Sequence, residues 1–345
     1  MVSGKRIRED EGFPRKADIT SWDNGAILQI SVPMDPPLRR VNSYLLPGAD
    51  GTVTVIDPGP HKEESVLAWQ GVMKELDLRW EQVRDIVVTH HHPDHYGLAG
   101  WMQERSGGKV WMTERAHAEA SLMWGEKSIM NEALPLFFAR HGMPEALTAE
   151  IRVHLESFTP QVTPQPEITA LDHSAPFIMG GRVWQPVVTG GHAPGHVSFY
   201  HAGSGAMICG DAVLPQISPN IGLHPGGDGR PLLTFLQGLE QLGSYPVSFA
   251  YPGHREPFSG FTERTQSLLR HHEERLDTAE ALLQGGPLSG FAICEALFRG
   301  RVTTAHQMRF AMSEALAHLA ELVRRGRIVE SGTGDAILFA LVKSG

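Results

Sequence analysis

The stretch 89-THHHPDHYG-97 constrains this chain more than any other part of it, because four histidines and an aspartate fall within nine residues. Protonated imidazoles this close repel one another, and imidazole is a poor core builder. His90, His92, Asp94 and His95 read as H-x-H-x-D-H. A divalent cation resolves the crowding, since neutral imidazoles and carboxylates are good ligands for zinc and similar ions. On an extended loop, alternate residues point the same way, so His90 and His92 share a direction. Asp94 and His95 open the following helix and can face a second ion. His91 occupies the odd position, points away and binds nothing.

The cluster sits at a strand-to-helix junction. Short apolar runs at 26-AILQISVP-33, 41-VNSYLLP-47 and 52-TVTVIDPG-59 predict strands of one sheet. A helix follows over 61–76, where Val66, Leu67, Trp69, Val72, Met73 and Leu76 recur at helical spacing. Then come a strand at 84–90, a helix at 94–107 and a strand at 109–113. This alternation is an α/β pattern, in which sites gather outside the carboxyl ends of strands. Residues 121–180, with 129-IMNEALPLFFARHGM-143 and the Pro-rich 158-FTPQVTPQPEI-168, read as an insertion folding over the site. Strands return at 182–190, 197–202, 206–211 and 247–253, with a helix at 231–245.

Further ligand candidates share one local pattern: an apolar strand, a glycine turn, then the ligand. His192 lies in 189-TGGHAPGHVSFY-200, Asp211 in 208-ICGDAV-213 and His254 in 250-AYPGHREPF-258. Glycine gives such turns their backbone freedom. With this pattern complete, residues 25–260 resemble the metallo-β-lactamase-fold hydrolases. The resemblance implies a four-layer αβ/βα sandwich. It implies two divalent metal ions, with zinc expected and manganese or iron also accepted by such ligands. His90, His92 and His192 would hold one ion, Asp94, His95 and His254 the other, and Asp211 would bridge them. A hydroxide between the ions would be the nucleophile, with Asp94 as a candidate proton shuttle. Asp57, in 55-VIDPG-59, matches a family aspartate that orients a ligand from behind. The family often has Pro-Gly-His at the third histidine, where this chain has Gly190-Gly191-His192.

The tail changes style after a long helix at 261–284. A short helix at 287–298, a longer one at 303–326 and two strands around a Gly-rich tip over 327–343 outline a small winged helix. A metallo-β-lactamase domain followed by a winged helix is similar to a bacterial and eukaryotic subfamily of these proteins. The expected organisation is a flexible arm at 1–20, a catalytic domain at 21–260 and a C-terminal domain at 261–345. Met308, Phe310, Met312, Leu316, Leu319 and Leu322 point to dimer contacts or to a role in shaping the cleft.

The leading expectation for function is hydrolysis of a thioester, ester or lactone, with Leu134, Leu136, Phe137, Phe138 and Met143 walling the cleft. The alternatives are a metal-dependent endoribonuclease or phosphodiesterase, a mono-iron persulfide dioxygenase and a regulator with a vestigial metal domain. The formal net charge of −9 disfavours polyanions. So do the ten Lys and Arg against ten Asp and Glu counted over 262–345. An intact ligand set argues against the vestigial reading. Tyr96, His196, His224 and Arg255 are candidate substrate or support residues, and Asn42 and Tyr44 candidate structural ones. The partner expected is a small-molecule substrate, with a homodimer possible and no membrane. Cys209 and Cys294 are far apart, the N-terminus shows no signal peptide, and no apolar run is long enough to span a bilayer, so the chain is expected to be cytoplasmic.

Overall fold

In the computed structural model, which describes residues 5–6, 18–332 and 336–342, eight strands form one sheet in simple sequence order. They are β1 (Lys5–Arg6), β2 (Ile19–Trp22), β3 (Ile27–Pro33), β4 (Arg40–Pro47), β5 (Val53–Ile56), β6 (Val83–Val87), β7 (Lys109–Met112) and β8 (Ile168–Ala170). A second sheet has the order β13-β12-β11-β10-β9, built from β9 (Phe177–Met179), β10 (Arg182–Val188), β11 (Val197–His201), β12 (Ala206–Gly210) and β13 (Phe249–Pro252). From β5 to β8 neighbours run parallel, as do β12 and β13.

Side-chain alternation splits the core into layers, because successive residues of a strand face opposite sides. Along β4, Tyr44 and Leu46 face the second sheet while Leu45 faces the helices. Along β12, Ile208 enters the space between the sheets, and Met207 and Cys209 face outward. Trp22, Trp184, Phe199 and Tyr251 fill that inter-sheet core. Helices α1 (Glu63–Glu75), α2 (Pro93–Tyr96) and α3 (Ala99–Ser106) cover one outer face, and α7 (Pro231–Gly243) and α8 (Phe261–Leu282) contribute to the other. This is the four-layer sandwich.

The single helix expected over 94–107 is two, α2 and α3, broken at Gly97-Leu98. A Cβ on Gly97 would lie 2.2 Å from the main-chain oxygen of Gln161. At the break the Leu98 N–H leaves the helical ladder and donates to the Gly59 carbonyl at 2.8 Å, a partner invisible in local periodicity. The span expected as an insertion is helical as α4 (Glu114–Trp124), α5 (Met130–Arg140) and α6 (Glu145–Glu156), and then supplies β8 to one sheet and β9 to the other.

The tail runs α8, β14 (Leu288–Ser289), α9 (Gly290–Leu297), α10 (Ala305–Arg324), β15 (Ile328–Ser331) and β16 (Leu338–Leu341), with a three-stranded sheet ordered β14-β16-β15. Packed against α6, α7, α8 and α9, α10 is buried along most of its length. Met312, Leu316, Leu319 and Leu322 are in the core, and Met308 and Phe310 are half-buried. The arm expected at 1–20 and part of the Gly-rich tip, 333–335, fall largely outside the described residues. Among the described residues no helix is long and apolar enough to cross a membrane.

Candidate metal centre

The histidine-rich loop leaves β6 at the carboxyl end of the first sheet. Asp57 follows β5, His192 lies between β10 and β11, Asp211 follows β12 and His254 follows β13. These ends converge. Nε2 of His90 lies 3.0 Å from Nδ1 of His92 and 3.3 Å from Nε2 of His192. Nε2 of His254 lies 3.1 Å from Asp94 Oδ2, and Nε2 of His95 lies 3.6 Å from the same oxygen. Asp211 stands between the groups, 3.6 Å from His192, 3.4 Å from His254 and 3.5 Å from His95.

Hydrogen bonds on the far side of each ring decide what these close contacts are. The Thr89 hydroxyl donates to Asp57 Oδ2 at 2.7 Å, so it accepts from His90 Nδ1 at 2.9 Å. His192 Nδ1 donates to the carbonyl of Asn220 at 2.8 Å and His254 Nδ1 to that of Arg40 at 2.9 Å. His95 Nδ1 donates to Asp57 Oδ2 at 2.9 Å. The tautomers follow from those partners. Each of these four rings then turns a lone pair on Nε2 toward other lone pairs and carboxylate oxygens. His95 Nε2, His254 Nε2 and Asp211 Oδ1 are buried without a hydrogen-bond partner. A convergence of acceptors alone is repulsive unless a cation sits among them. The donor set therefore fits divalent metal, with His90, His92 and His192 in one group and Asp94, His95 and His254 in another.

A third grouping of Asp57, His90 and His95 is also close-packed. Asp57, however, is committed to supporting bonds, accepting the Thr89 N–H at 2.7 Å, the Thr89 hydroxyl and His95 Nδ1. These bonds tie it to His95 and to the turn at Thr89. It holds this place with φ at 53°, in the left-handed region that Asp tolerates better than most residues.

Electrostatics agree with the geometry. Burial, then the neighbouring histidines, holds His90 and His92 well below the usual imidazole range, which keeps them neutral. Burial also opposes charge on His95 and His254, but Asp211 and Asp94 outweigh it and raise both, His95 strongly. Asp211 is depressed: burial pushes it up, and His254 and His95 pull it down further. Positive charge is favoured where the carboxylates gather.

Two glycines allow the approach. A Cβ on Gly253 would lie 2.2 Å from Asp211 Oδ1, and one on Gly210, whose φ is +47°, would lie 2.6 Å from His196 Nε2.

The remaining candidates divide clearly. His196 stacks on His90 with ring centres 5.1 Å apart and accepts the Asp211 N–H at 3.1 Å, so it supports the ligand turn. Tyr96 is buried in the outer core, where burial raises its phenol well above the usual range. His224 lines the cleft but pairs with Glu119 at 3.1 Å. Arg255 is exposed, and its carbonyl accepts from Asn42 Nδ2 at 2.6 Å. Asn42 and Tyr44 both bind the carbonyl of Pro252, fixing the loop that carries His254. His91 is buried and lines the cleft, outside the donor groups.

A cleft of about 600 Å³ opens over the centre. Of the five residues expected to wall it, only Leu134 does so. Phe138 and Met143 are buried elsewhere, and Leu136 is 59% exposed. The wall is instead made by Met34, Met123, Trp124, Phe158 and Phe310. Those side chains come from four separate segments, so no local run revealed them. Sequence reasoning also missed Thr89, Asn220 and Arg309. The Asn220 carbonyl could come from any residue type, so no local signal marked its bond to His192.

Residues 36–254 match the metallo-beta-lactamase superfamily, and residues 276–340 match the metallo-beta-lactamase-like C-terminal domain. The probable metallo-hydrolase YqjP of Bacillus subtilis (strain 168) is 24% identical over 323 residues, covering 92% of this chain and 98% of its own. The hydroxyacylglutathione hydrolase GloC of Haemophilus influenzae is 24% identical over 198 residues, 57% of this chain and 77% of its own. A metallo-beta-lactamase family protein from Thermus thermophilus has a TM-score of 0.82 at 32% identity, covering 92% of this chain and 99% of its own. A beta-lactamase domain protein from Burkholderia ambifaria has a TM-score of 0.84 at 29% identity, covering 96% of both.

Proposed function

Since the chain belongs to the metallo-β-lactamase superfamily and is one of its metallo-hydrolases, we propose that it cleaves an acyl bond in a thioester, ester or lactone, using two divalent ions, zinc by preference. The observation that carries this reading is the cleft. Its floor is the His and Asp cluster, and its walls present Met123, Trp124, Leu134, Phe158 and Phe310 to the substrate. Such a surface suits an acyl chain and excludes water. A relative is named a hydroxyacylglutathione hydrolase, and an acylglutathione is a thioester.

Bound ions supply Lewis acidity toward a carbonyl oxygen and make a water nucleophilic at neutral pH. The chain's own residues do the rest. Thr89, Asp57, Asn220 and Arg40 fix the ring orientations through the bonds described above. Asp211 joins the two ligand groups. Asp94, 21% exposed at its side chain, is the ligand carboxylate more open to the cleft, and we assign it the proton released on attack. Its carboxyl is lowered, with burial opposing and His95 and His254 prevailing, so it is a weak base that works only transiently.

We divide the chain into a catalytic domain at 21–260 and a winged helix at 261–345. A nucleic-acid grip is not favoured, because the basic run near the end of α10 is spent internally. Arg324 pairs with Glu321 at 2.7 Å, Arg325 with Glu273 at 2.7 Å and Arg327 with Asp277 at 2.7 Å.

Metal content by elemental analysis, run beside a hydrolysis panel, tests the proposal. The panel holds an acyl thioester, a lactone, a p-nitrophenyl ester, bis-p-nitrophenyl phosphate and a short RNA. About two ions per chain with turnover of the carbonyl substrates is the expected result. Phosphodiester or RNA turnover would replace this reading with the nuclease, and a single iron without hydrolysis would point to oxygen chemistry.

A further inference from the structure

Arg309 projects from α10 into the wall of the cleft and is only 8% exposed. Its guanidinium carbon lies 4.3 Å from the ring centre of Phe310 and 5.1 Å from that of Phe158. Its Nε is sealed from solvent with no hydrogen-bond partner. The carboxylates of its own helix are taken, Glu314 by Arg275 at 3.3 Å and Glu321 by Arg324 and Arg325. Among the described residues no carboxylate stands within ion-pairing distance of Arg309.

A guanidinium buried without an acceptor is costly, and contact with ring faces offsets only part of that cost. Ring contact satisfies the π-system but none of the N–H donors. Burial lowers its pKa to about 10, so it remains charged at neutral pH. Nearby, His154 Nε2 and His306 Nδ1 lie 3.1 Å apart, and burial chiefly, with Arg309 next, holds both rings down at about 4 and hence neutral. The two cleft carboxylates closest to the chemistry, Asp94 and Asp211, belong to the donor set of the metal centre. What remains is a fixed positive charge whose terminal NH2 groups, unlike Nε, are not sealed from solvent, set in aromatic surroundings within the same cleft.

We propose that Arg309 is the anchor for an anionic oxygen group, a carboxylate or a phosphate, carried by the substrate apart from its scissile bond. The fork of N–H donors matches such groups in two-point contact. The substrate class narrows to an amphiphilic acyl compound, with its carbonyl at the metal floor, an apolar stretch along Trp124 and Phe158 and an anion at Arg309. The C-terminal domain thereby sets specificity for chemistry performed by the other domain. This inference rests on the acyl-hydrolase reading for its kinetic arm but not for its binding arm.

The experiment uses the metal-loaded full chain and three matched thiophenyl thioesters: hexanoyl, its ω-carboxylate and its ω-phosphonate. The corresponding unreactive amides are titrated by calorimetry. Wild type should favour at least one anionic member over the neutral one by about tenfold or more, both in kcat/KM and in Kd, as expected for a charged hydrogen bond in a dry site. The member preferred identifies the group. Arg309→Met should collapse that ratio toward one, and Arg309→Lys should keep part of it, with metal content unchanged. Equal affinity of wild type for neutral and anionic amides overturns the proposal even if a variant fails to fold. So does a ratio preserved in Arg309→Met. An Arg309-dependent amide preference without thioester turnover would remove the hydrolase substrate and leave the anion site standing. Turnover of all three thioesters without preference would do the reverse.

Discussion

The Nδ1–H of His192 donates to the main-chain carbonyl of Asn220 at 2.8 Å, and the Asn220 side chain in turn donates to Glu314 Oε2 on α10 at 2.9 Å and to the Phe310 carbonyl at 3.2 Å. A metal-facing ring is thus held from the C-terminal helix through a single asparagine. Asn220→Ala keeps the carbonyl but frees the loop that positions it. Support of this kind is worth about 10–100-fold in metal affinity. We expect metal release to a competing chelator to occur at about tenfold lower chelator concentration. Retention equal to wild type would show that the loop holds itself.

Asp57 should matter for its charge and not for its shape. Asn tolerates the same left-handed backbone and can still accept from Thr89, so Asp57→Asn isolates the carboxylate that receives His95 Nδ1. The variant should fold with a melting temperature near that of wild type when both are stripped of metal. Its kcat on the active substrate of the panel should fall by about 10–100-fold.

Gly253→Ala should empty the centre without unfolding the chain. The added methyl would meet Asp211 Oδ1 at 2.2 Å and His95 Cε1 at 2.6 Å, so the ligands must move. Far-UV circular dichroism should be unchanged while bound metal drops below half of the wild-type content. Full metal loading would mean that the β13 loop yields instead.

A buried histidine pair ties the C-terminal helix to α8 and makes the fold acid-sensitive. His318 Nδ1 donates to the Glu314 carbonyl at 2.8 Å, so its Nε2 accepts from His272 Nδ1 at 3.1 Å. Burial first, then His318 and its neighbours, lowers His272 to about 2; burial chiefly lowers His318 to about 4. An unfolded histidine titrates near ~6.5. The folded values are depressed, so the stabilisation is complete above about pH 6.5 and is lost as pH falls from there toward the folded values. By pH 5 the loss is on the order of 2 kcal/mol per ring. Urea midpoints of chelator-treated protein at pH 7.5 and 5.0 should separate accordingly. The double variant His272→Gln, His318→Gln should show a smaller separation, and an unchanged one would assign the acid sensitivity to other groups.

Much of the architecture was legible because it rests on short-range regularities. Alternating and continuous apolar runs marked β3, β4, β5 and β6, and helical spacing from Val66 to Met73 marked α1. Both follow from the geometry of a strand or helix with one side buried. The ligand candidates were legible for a different reason. Four of them crowd into one H-x-H-x-D-H run, and a glycine before His192, Asp211 and His254 frees the turn that carries each side chain toward its neighbours.

Local pattern is silent where distant segments decide. Gly97 and Leu98 looked like residues of a continuous helix, yet the Leu98 N–H donates to the distant Gly59 carbonyl where α2 and α3 part. Phe138 looked like cleft wall, yet it is fully buried in the core.

By itself, then, the sequence determined the order of elements, the superfamily and which side chains are chemically able to hold a metal, since these depend on residue type and spacing along the chain. Only the tertiary structure decided which lone pairs meet, because the ring orientations are set by Thr89, Asn220 and the Arg40 carbonyl from separate strands and loops. It also decided that the cleft is closed by α10, and that Arg309, one of ten basic residues in the tail, is the one buried there without a carboxylate among the described residues. Pairing across hundreds of residues is fixed by packing, and packing is not written in any local pattern.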